Sequence, residues 1–196
     1  PDDNFEAYLE ANGMGDGILN NDSVSKNNLV WVTFLNIGYD SISDLTGIED
    51  FLALTNLYCN SNQLTSLDVS QNTNLEYLNC GSNQLTSLDV SQNTLLYRLY
   101  CNNNQLTSLN LGQNTNLQYL WCYNNQLTSL DLSQNTTLIY IYCYNNQLTS
   151  LDLSQNTSLY RLYCNSNQLT SLDLRNINTN TYWSINTTSN YNLYCI

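Results

Sequence analysis

Cys59, Cys80, Cys101, Cys122, Cys143 and Cys164 follow one another at a spacing of 21 residues. Each stands in the same frame, with aliphatic residues five and two positions before it and Asn-Gln-Leu-Thr-Ser-Leu beginning three positions after it. A fixed period held over so many copies leaves few folds open, because each copy is one supersecondary unit whose apolar face only its neighbours can cover. The coil starting at Leu75 reads LEYLNCGSNQLTSLDVSQNTL, and others start at Leu54, Leu96, Leu117, Leu138 and Leu159. An earlier, degenerate coil starts near Val32, where Leu35, Ile37, Ile42, Leu45, Ile48 and Phe51 keep the apolar spacing with one extra residue before Leu54, so that seven coils are readable. In each coil, positions such as Leu75, Leu78, Cys80, Leu85, Leu88 and Val90 face inward. Burying them is worth about 10 kcal/mol, against an ordering cost of roughly 1–2 kcal/mol per residue. A single coil does not stand alone, and the stack supplies the difference.

The pattern LxxLxCxxNQL resembles the leucine-rich-repeat family, whose signature is LxxLxLxxNxL, with cysteine in place of the third leucine. The second half of each coil, as in LTSLDVSQN, repeats the spacing about ten residues later. That nested period is similar to the 21-residue bacterial subtype called IRREKO, and the resemblance covers residues 32 to about 174. It implies a parallel-stranded solenoid with protein ligands on the strand face. The short LxC and LDL stretches both alternate in and out, so the chain reads as mainly β, with two narrow parallel sheets on opposite sides of about seven coils of 21–22 residues. Loops or short 3₁₀ turns on the second side are the alternative. The opening PDDNFEAYLEANGMGDGILNND and the phrase ISDLTGIEDF resemble the amino-terminal region of secreted leucine-rich-repeat proteins of Bacteroidetes-type bacteria. That likeness implies export, to a secreted or cell-surface location.

Three parts follow: an N-terminal helical cap over residues 1–31, the solenoid over 32–174 and an irregular C-terminal cap over 175–196. Asp2 or Asp3 can cap a helix over residues 4–12, with Phe5, Tyr8 and Leu9 on the face that covers the first coil. Residues 176–190 lose the frame, Trp183 and Ile185 are placed to plug the last coil, and Tyr191, Leu193 and Cys195 read as a closing strand.

Composition narrows the function. The formal charge of −12, from 16 acidic against four basic residues, repels nucleic-acid phosphates and anionic lipid alike. Ten of the 16 acidic residues lie in the first 50 positions. No apolar stretch approaches the roughly 20 residues that span a bilayer. Histidine is absent, which removes the commonest general base and metal ligand, and no nucleophile motif or phosphate loop is present. The expectation is no enzyme, no cofactor and no resident metal.

Three ladders repeat with the period. The cysteines take inward positions that read as a row of small buried hydrophobes, with disulfides, metal binding or redox chemistry as alternatives. Asn62, Asn83, Asn104, Asn125, Asn146 and Asn167 stand where the chain turns after the first strand, and Asn72, Asn93, Asn114, Asn135 and Asn156 stand at the other corner; both sets suit capping of backbone groups. Asp68, Asp89, Asn110, Asp131, Asp152 and Asp173 bring like charges together between coils. Hydrogen bonds from nearby Ser and Thr offset that cost, or calcium does. The segment from Asp16 to Asp22 reads as a turn, with calcium again the alternative.

Variation between coils is confined to one strand. Its outward positions include Tyr77, Tyr97, Arg98, Tyr100, Tyr119, Trp121, Tyr123, Tyr140, Tyr142, Tyr144, Tyr160, Arg161 and Tyr163, the candidate ligand-binding residues. With Tyr191 and Tyr194 of the expected closing strand, 13 of the 16 tyrosines fall on this surface. Tyr, Trp and Arg dominate binding hot spots, whereas the opposite strand repeats Thr, Ser and Asp almost unchanged. Tyrosine also packs well on any sheet surface, which is the structural alternative. A recognition or adhesion module for a protein partner is the leading reading. A glycan ligand is the second, and ice binding through the ladder Thr65, Thr86, Thr107, Thr128, Thr149 and Thr170 the third. The aromatic patch also leaves open a homodimer formed through it.

Overall fold

Within each coil, alternation of an inward Leu, an outward residue and an inward Cys gives the backbone just enough regularity for a short strand. The computed structural model describes residues 2–18, 26–176 and 184–194. It contains α1 (Asp3–Ala11), α2 (Lys26–Leu29), β1 (Phe34–Asn36), a 3₁₀ turn (Ile48–Asp50), β2 (Asn56–Tyr58), β3 (Tyr77–Asn79), β4 (Arg98–Tyr100) and β5 (Tyr119–Trp121). There follow β6 (Tyr140–Tyr142), β7 (Ser150–Asp152), β8 (Arg161–Tyr163), β9 (Ser171–Asp173) and β10 (Ser184–Asn186). Eight strands form one parallel sheet in the order β1-β2-β3-β4-β5-β6-β8-β10. Their register stacks Leu35, Leu57, Leu78, Leu99, Leu120, Ile141, Leu162 and Ile185 in a single column. From Leu35 to Leu162 that column is buried, and so are the six cysteines from Cys59 to Cys164, all free thiols.

The second sheet is shorter than the alternation predicts. Only β7 and β9 pair on that side among the described residues. The other coils run there in bends and turns, as in the alternative reading. In most coils the ladder Asp closes a turn directly after it, Asp68, Asp89, Asp131 and Asp152 each accepting the N–H of the serine two residues on at 2.9 Å; β7 and β9 end on the same turn, which limits strand length on this side in paired and unpaired coils alike. Ladder pairing therefore runs from coil to coil along the whole first sheet, and on this side between β7 and β9 among the described residues.

Asparagine holds the coils together. The Asn125 side chain accepts the Leu106 N–H at 3.0 Å and donates to the Cys101 and Cys122 carbonyls at 3.0 and 3.1 Å. The same three bonds recur at Asn83, Asn104, Asn146 and Asn167. At the opposite corner the fully buried Asn93, Asn114, Asn135 and Asn156 each donate to two backbone carbonyls of earlier coils at 2.8–3.1 Å. Just before each ladder Asn of the first set stands a Ser or Asn with positive φ, such as Ser82 (57°) or Asn124 (53°), which turns the chain out of the strand.

The N-terminal cap is a helix, as the sequence predicts, and Asp2 is its cap, accepting the N–H groups of Asn4 and Phe5 at 2.9 and 3.4 Å. The other Asp2 oxygen takes the Ser43 N–H, which ties the helix to the first coil. Phe5 and Leu9 are buried, with Phe5 6.4 Å from the Phe51 ring. Tyr8 packs partly buried against the same core, at the end of the sheet where β1 is the edge strand among the described residues.

At the other end the closing strand is β10 and not the stretch from Tyr191, where residues 191–194 run as turn and coil. The frame returns two residues later than the period predicts: Ser189 takes the positive-φ place, and Asn190 accepts the Leu169 N–H and donates to the Cys164 and Thr187 carbonyls. Ile185 extends the leucine column but stays 39% exposed. Trp183 and Cys195 lie outside the described residues.

Two outcomes follow from this packing. Asn125→Ala leaves the Leu106 N–H without a partner and takes one of two asparagine donors from each of the Cys101 and Cys122 carbonyls, so it is expected to destabilise the chain by about 2 kcal/mol in urea unfolding, whereas Gln126→Ala, on the exposed neighbour, stays within about 0.5 kcal/mol. Burial pushes the Cys80 and Cys164 thiols up to about 12 and the other four well above their ordinary value. With Ellman's reagent at pH 8, Cys59 through Cys164 are therefore expected to react only on unfolding; their rapid reaction in native buffer would contradict this core.

Candidate binding face

Because the leucines and cysteines of the strands point inward, the residues between them form columns on the outer surface of the sheet. The column at the strand start reads Phe34, Asn56, Tyr77, Arg98, Tyr119, Tyr140 and Arg161, and the one at the strand end reads Tyr58, Asn79, Tyr100, Trp121, Tyr142 and Tyr163. Tyr97 and Tyr160 lie just before their strands, and Tyr123 and Tyr144 just beyond.

The rings pack on one another rather than pointing freely into water. Phe34, Tyr58, Tyr77, Tyr100, Trp121, Tyr142 and Tyr163 form an unbroken chain with centroids 4.1–5.5 Å apart. Its tightest step is Tyr100 on Trp121, stacked at 4.1 Å and 12°. Tyr119 and Tyr140 stack at 5.1 Å, and Tyr123 and Tyr144 at 4.4 Å. Arg98 lies 4.5 Å over the Tyr119 ring and 5.2 Å over Tyr97, and Arg161 lies 5.7 Å over Tyr140 and donates to the Tyr142 hydroxyl at 3.2 Å. Tyr77 is buried and the other candidate residues are half-buried. Desolvation holds the Tyr77, Tyr100 and Tyr144 phenols above their ordinary value, so these hydroxyls stay protonated and able to donate.

All thirteen sequence-derived positions thus lie on or beside one sheet. Tyr191 and Tyr194 do not join them. Tyr191 is 93% exposed beyond β10, and Tyr194 lines a groove with Asp152, Asp173, Leu174, Ile185 and Leu193 on the opposite side. Phe34, 57% exposed, is a member that sequence reasoning missed; its signal was an aromatic residue immediately before the first inward leucine, Leu35.

The ladder carboxylates are occupied by the backbone within their own coil, and that donation holds the pKa of Asp68, Asp89 and Asp131 below the ordinary carboxylate value, as the Arg175 side chain does for Asp173. Each threonine of the outer ladder stands at a bend and none lies in a strand. Near the N-terminus, Glu10 accepts the N–H groups of Asp16 and Gly17 and so builds a turn there. Asn20 and Asp22 lie outside the described residues.

For each Asp whose acidity is enhanced, the stabilisation is complete above about pH 4 and is lost as pH falls through the lowered value. Asn110 accepts the Gly112 N–H at 3.1 Å without any charge. Replacing Asp68, Asp89 and Asp131 by Asn is therefore expected to flatten the fall in Tm between pH 5 and 2.5; parallel curves for variant and parent would contradict this assignment.

Comparison with known proteins agrees with the geometry. Residues 52–93 match the family model described as leucine-rich repeats, two copies. Over 73 residues, 37% of this chain, the sequence is 41% identical to internalin J of Listeria monocytogenes, a stretch that makes up 8% of that protein. A solved leucine-rich-repeat protein of Leptospira interrogans superposes with a TM-score of 0.74 and 27% identity, covering 84% of this chain and 45% of its own. An internalin structure from Listeria monocytogenes gives a TM-score of 0.70 at 23% identity over 82% of this chain and 62% of its own, a likeness of fold. The chain spans less than two thirds of each of these relatives.

Proposed function

We propose that this leucine-rich-repeat solenoid is a non-enzymatic recognition or adhesion module that binds a protein partner across the aromatic sheet face, secreted or displayed at a cell surface. The observation that carries this reading is the unbroken run of rings from Phe34 to Tyr163 on one face. Half-buried rings that brace one another lose little side-chain freedom on binding, as rigid aromatic anchors in hot spots do. The similarity to internalins supports the same class, and we assign the chain to the nested 21-residue subtype with Bacteroidetes-type relatives on the frame described above.

A protein suits this face better than a sugar. In the stacked pairs Tyr100–Trp121, Tyr119–Tyr140 and Tyr123–Tyr144 each ring spends a face on its neighbour, so edges and hydroxyls are what a partner meets. The threonine ladder, bent at every coil, offers no flat array for ice.

The test is a binding screen of the purified chain against arrayed extracellular proteins and glycans, repeated with a Trp121→Ala, Tyr142→Ala double variant whose fold is checked by circular dichroism. Protein binding lost in the variant by tenfold or more is the expected result. Hits confined to glycans, or protein binding unchanged by the substitutions, would overturn the reading. Sedimentation velocity on the same pair identifies self-association as the source of any loss.

A further inference from the structure

The tetrapeptide Tyr-Arg-Leu-Tyr occurs twice, at Tyr97–Tyr100 and Tyr160–Tyr163. The sheet register puts both arginines in one column with Tyr119 and Tyr140 between them, in the order Arg98, Tyr119, Tyr140, Arg161. The contacts along it are continuous. Arg98 lies 4.5 Å over Tyr119, Tyr119 stacks on Tyr140 at 5.1 Å and 9°, and Arg161 lies 5.7 Å over Tyr140. Two guanidinium groups therefore bracket a stacked pair of phenols.

Both cations are unmatched. In a chain with 16 acidic and four basic residues, neither Arg98 nor Arg161 forms an ion pair with a carboxylate among the described residues, whereas Arg175, on the opposite side, pairs with Asp173 at 2.6 Å. The Nε of each bracketing arginine is covered, so the terminal guanidinium nitrogens are the ones that meet a ligand, and Arg161 spends one of their donors on Tyr142. Among the described residues, Glu76 is the one carboxylate in the outward columns on and beside the strands. A planar fork with unfilled donors, held flat by rings, is prepared for bidentate contact with a carboxylate. Self-repulsion from the rest of the chain is weak here, because the ladder carboxylates lie on the other side and exposed charges more than about 8 Å apart are screened at physiological salt.

Spacing then limits the ligand. Three strand steps of about 4.8 Å put the two arginine positions about 14 Å apart, and an extended peptide advances about 3.3 Å per residue, so residues i and i+4 span about 13 Å on one face. From this we infer that the face reads an extended acidic segment of its partner, with carboxylates at i and i+4 on Arg161 and Arg98 and an apolar side chain at i+2 on the Tyr119–Tyr140 pair. The inference rests on the recognition reading above and names the partner chemistry of that face.

The experiment is fluorescence anisotropy of fluorescein-labelled Gly-Ser peptides. The lead probe contains Glu-Ser-Leu-Ser-Glu; the others move the glutamates to i,i+2 or i,i+6, or replace them with Gln. The i,i+4 peptide is expected to bind at least fivefold tighter than each of the others. Arg98→Gln and Arg161→Gln should each abolish that preference, Arg98→Lys should retain part of it, and Arg175→Gln should retain all of it. Circular dichroism confirms that each variant is folded. No binding of any peptide, no preference for spacing, or a preference that survives both glutamine variants would overturn the inference. If that happens while a protein partner still depends on Trp121 and Tyr142, the recognition reading stands without the acidic-segment rule.

Discussion

A chain that turns a corner about every ten residues turns backbone N–H and C=O groups inward at every corner, beside a core of leucine and cysteine. An unpaired buried group costs about 1–3 kcal/mol, so an unanswered corner repeated in every coil would exceed the stability of any domain of this size. The asparagine side chain solves this because its amide carries both a donor and an acceptor on a short stem. At Asn83, Asn104, Asn125, Asn146 and Asn167 the oxygen accepts a leucine N–H of the coil before, and the nitrogen donates to cysteine carbonyls of its own coil and the preceding one. Neither aspartate, which lacks the donor, nor leucine, which lacks both, can stand there.

With the corners tied, the strand between them is relieved of structural duty on its outer side. The leucine and cysteine columns fill the interior, and each outward residue is held in register with its counterpart one coil away. That register converts scattered tyrosines into a wall in which Tyr58, Tyr77, Tyr100 and Trp121 touch in succession. The opposite side has the reverse arrangement: its carboxylates cap their own coils, and its residues barely change. One surface is thus free to vary without loss of fold, the physical condition for a recognition face.

The parts legible in the sequence were those fixed by period and by local chemistry. The 21-residue spacing gave the solenoid, the apolar run Phe5, Tyr8, Leu9 after Asp2 gave the cap, and the two asparagine sets gave the corners. The length of the second sheet was not legible, because LDL or its like alternates as a strand should in every coil, yet among the described residues only Ser150–Asp152 and Ser171–Asp173 pair, and both end on the same Asx turn as the coils that do not. Nor was the last turn of the frame. Its serine and asparagine, Ser189 and Asn190, match Ser166 and Asn167, but added residues shift them off the period and Thr187 stands where cysteine would. Phe34 escaped notice because its coil lacks the cysteine that marks the others. That the rings would spend their faces on one another, rather than offer them to a ligand, depends on side-chain geometry that no spacing encodes.

Native-state hydrogen exchange is the most direct test of the asparagine ladder as the interaction on which the molecule depends. The amides of Leu85, Leu106, Leu127 and Leu148 bond to asparagine side chains at 2.9–3.0 Å rather than to backbone. They are predicted to be among the slowest in the protein, exchanging only with global unfolding. Exchange as fast as that of the exposed threonine and serine amides one and two residues further on would contradict the account.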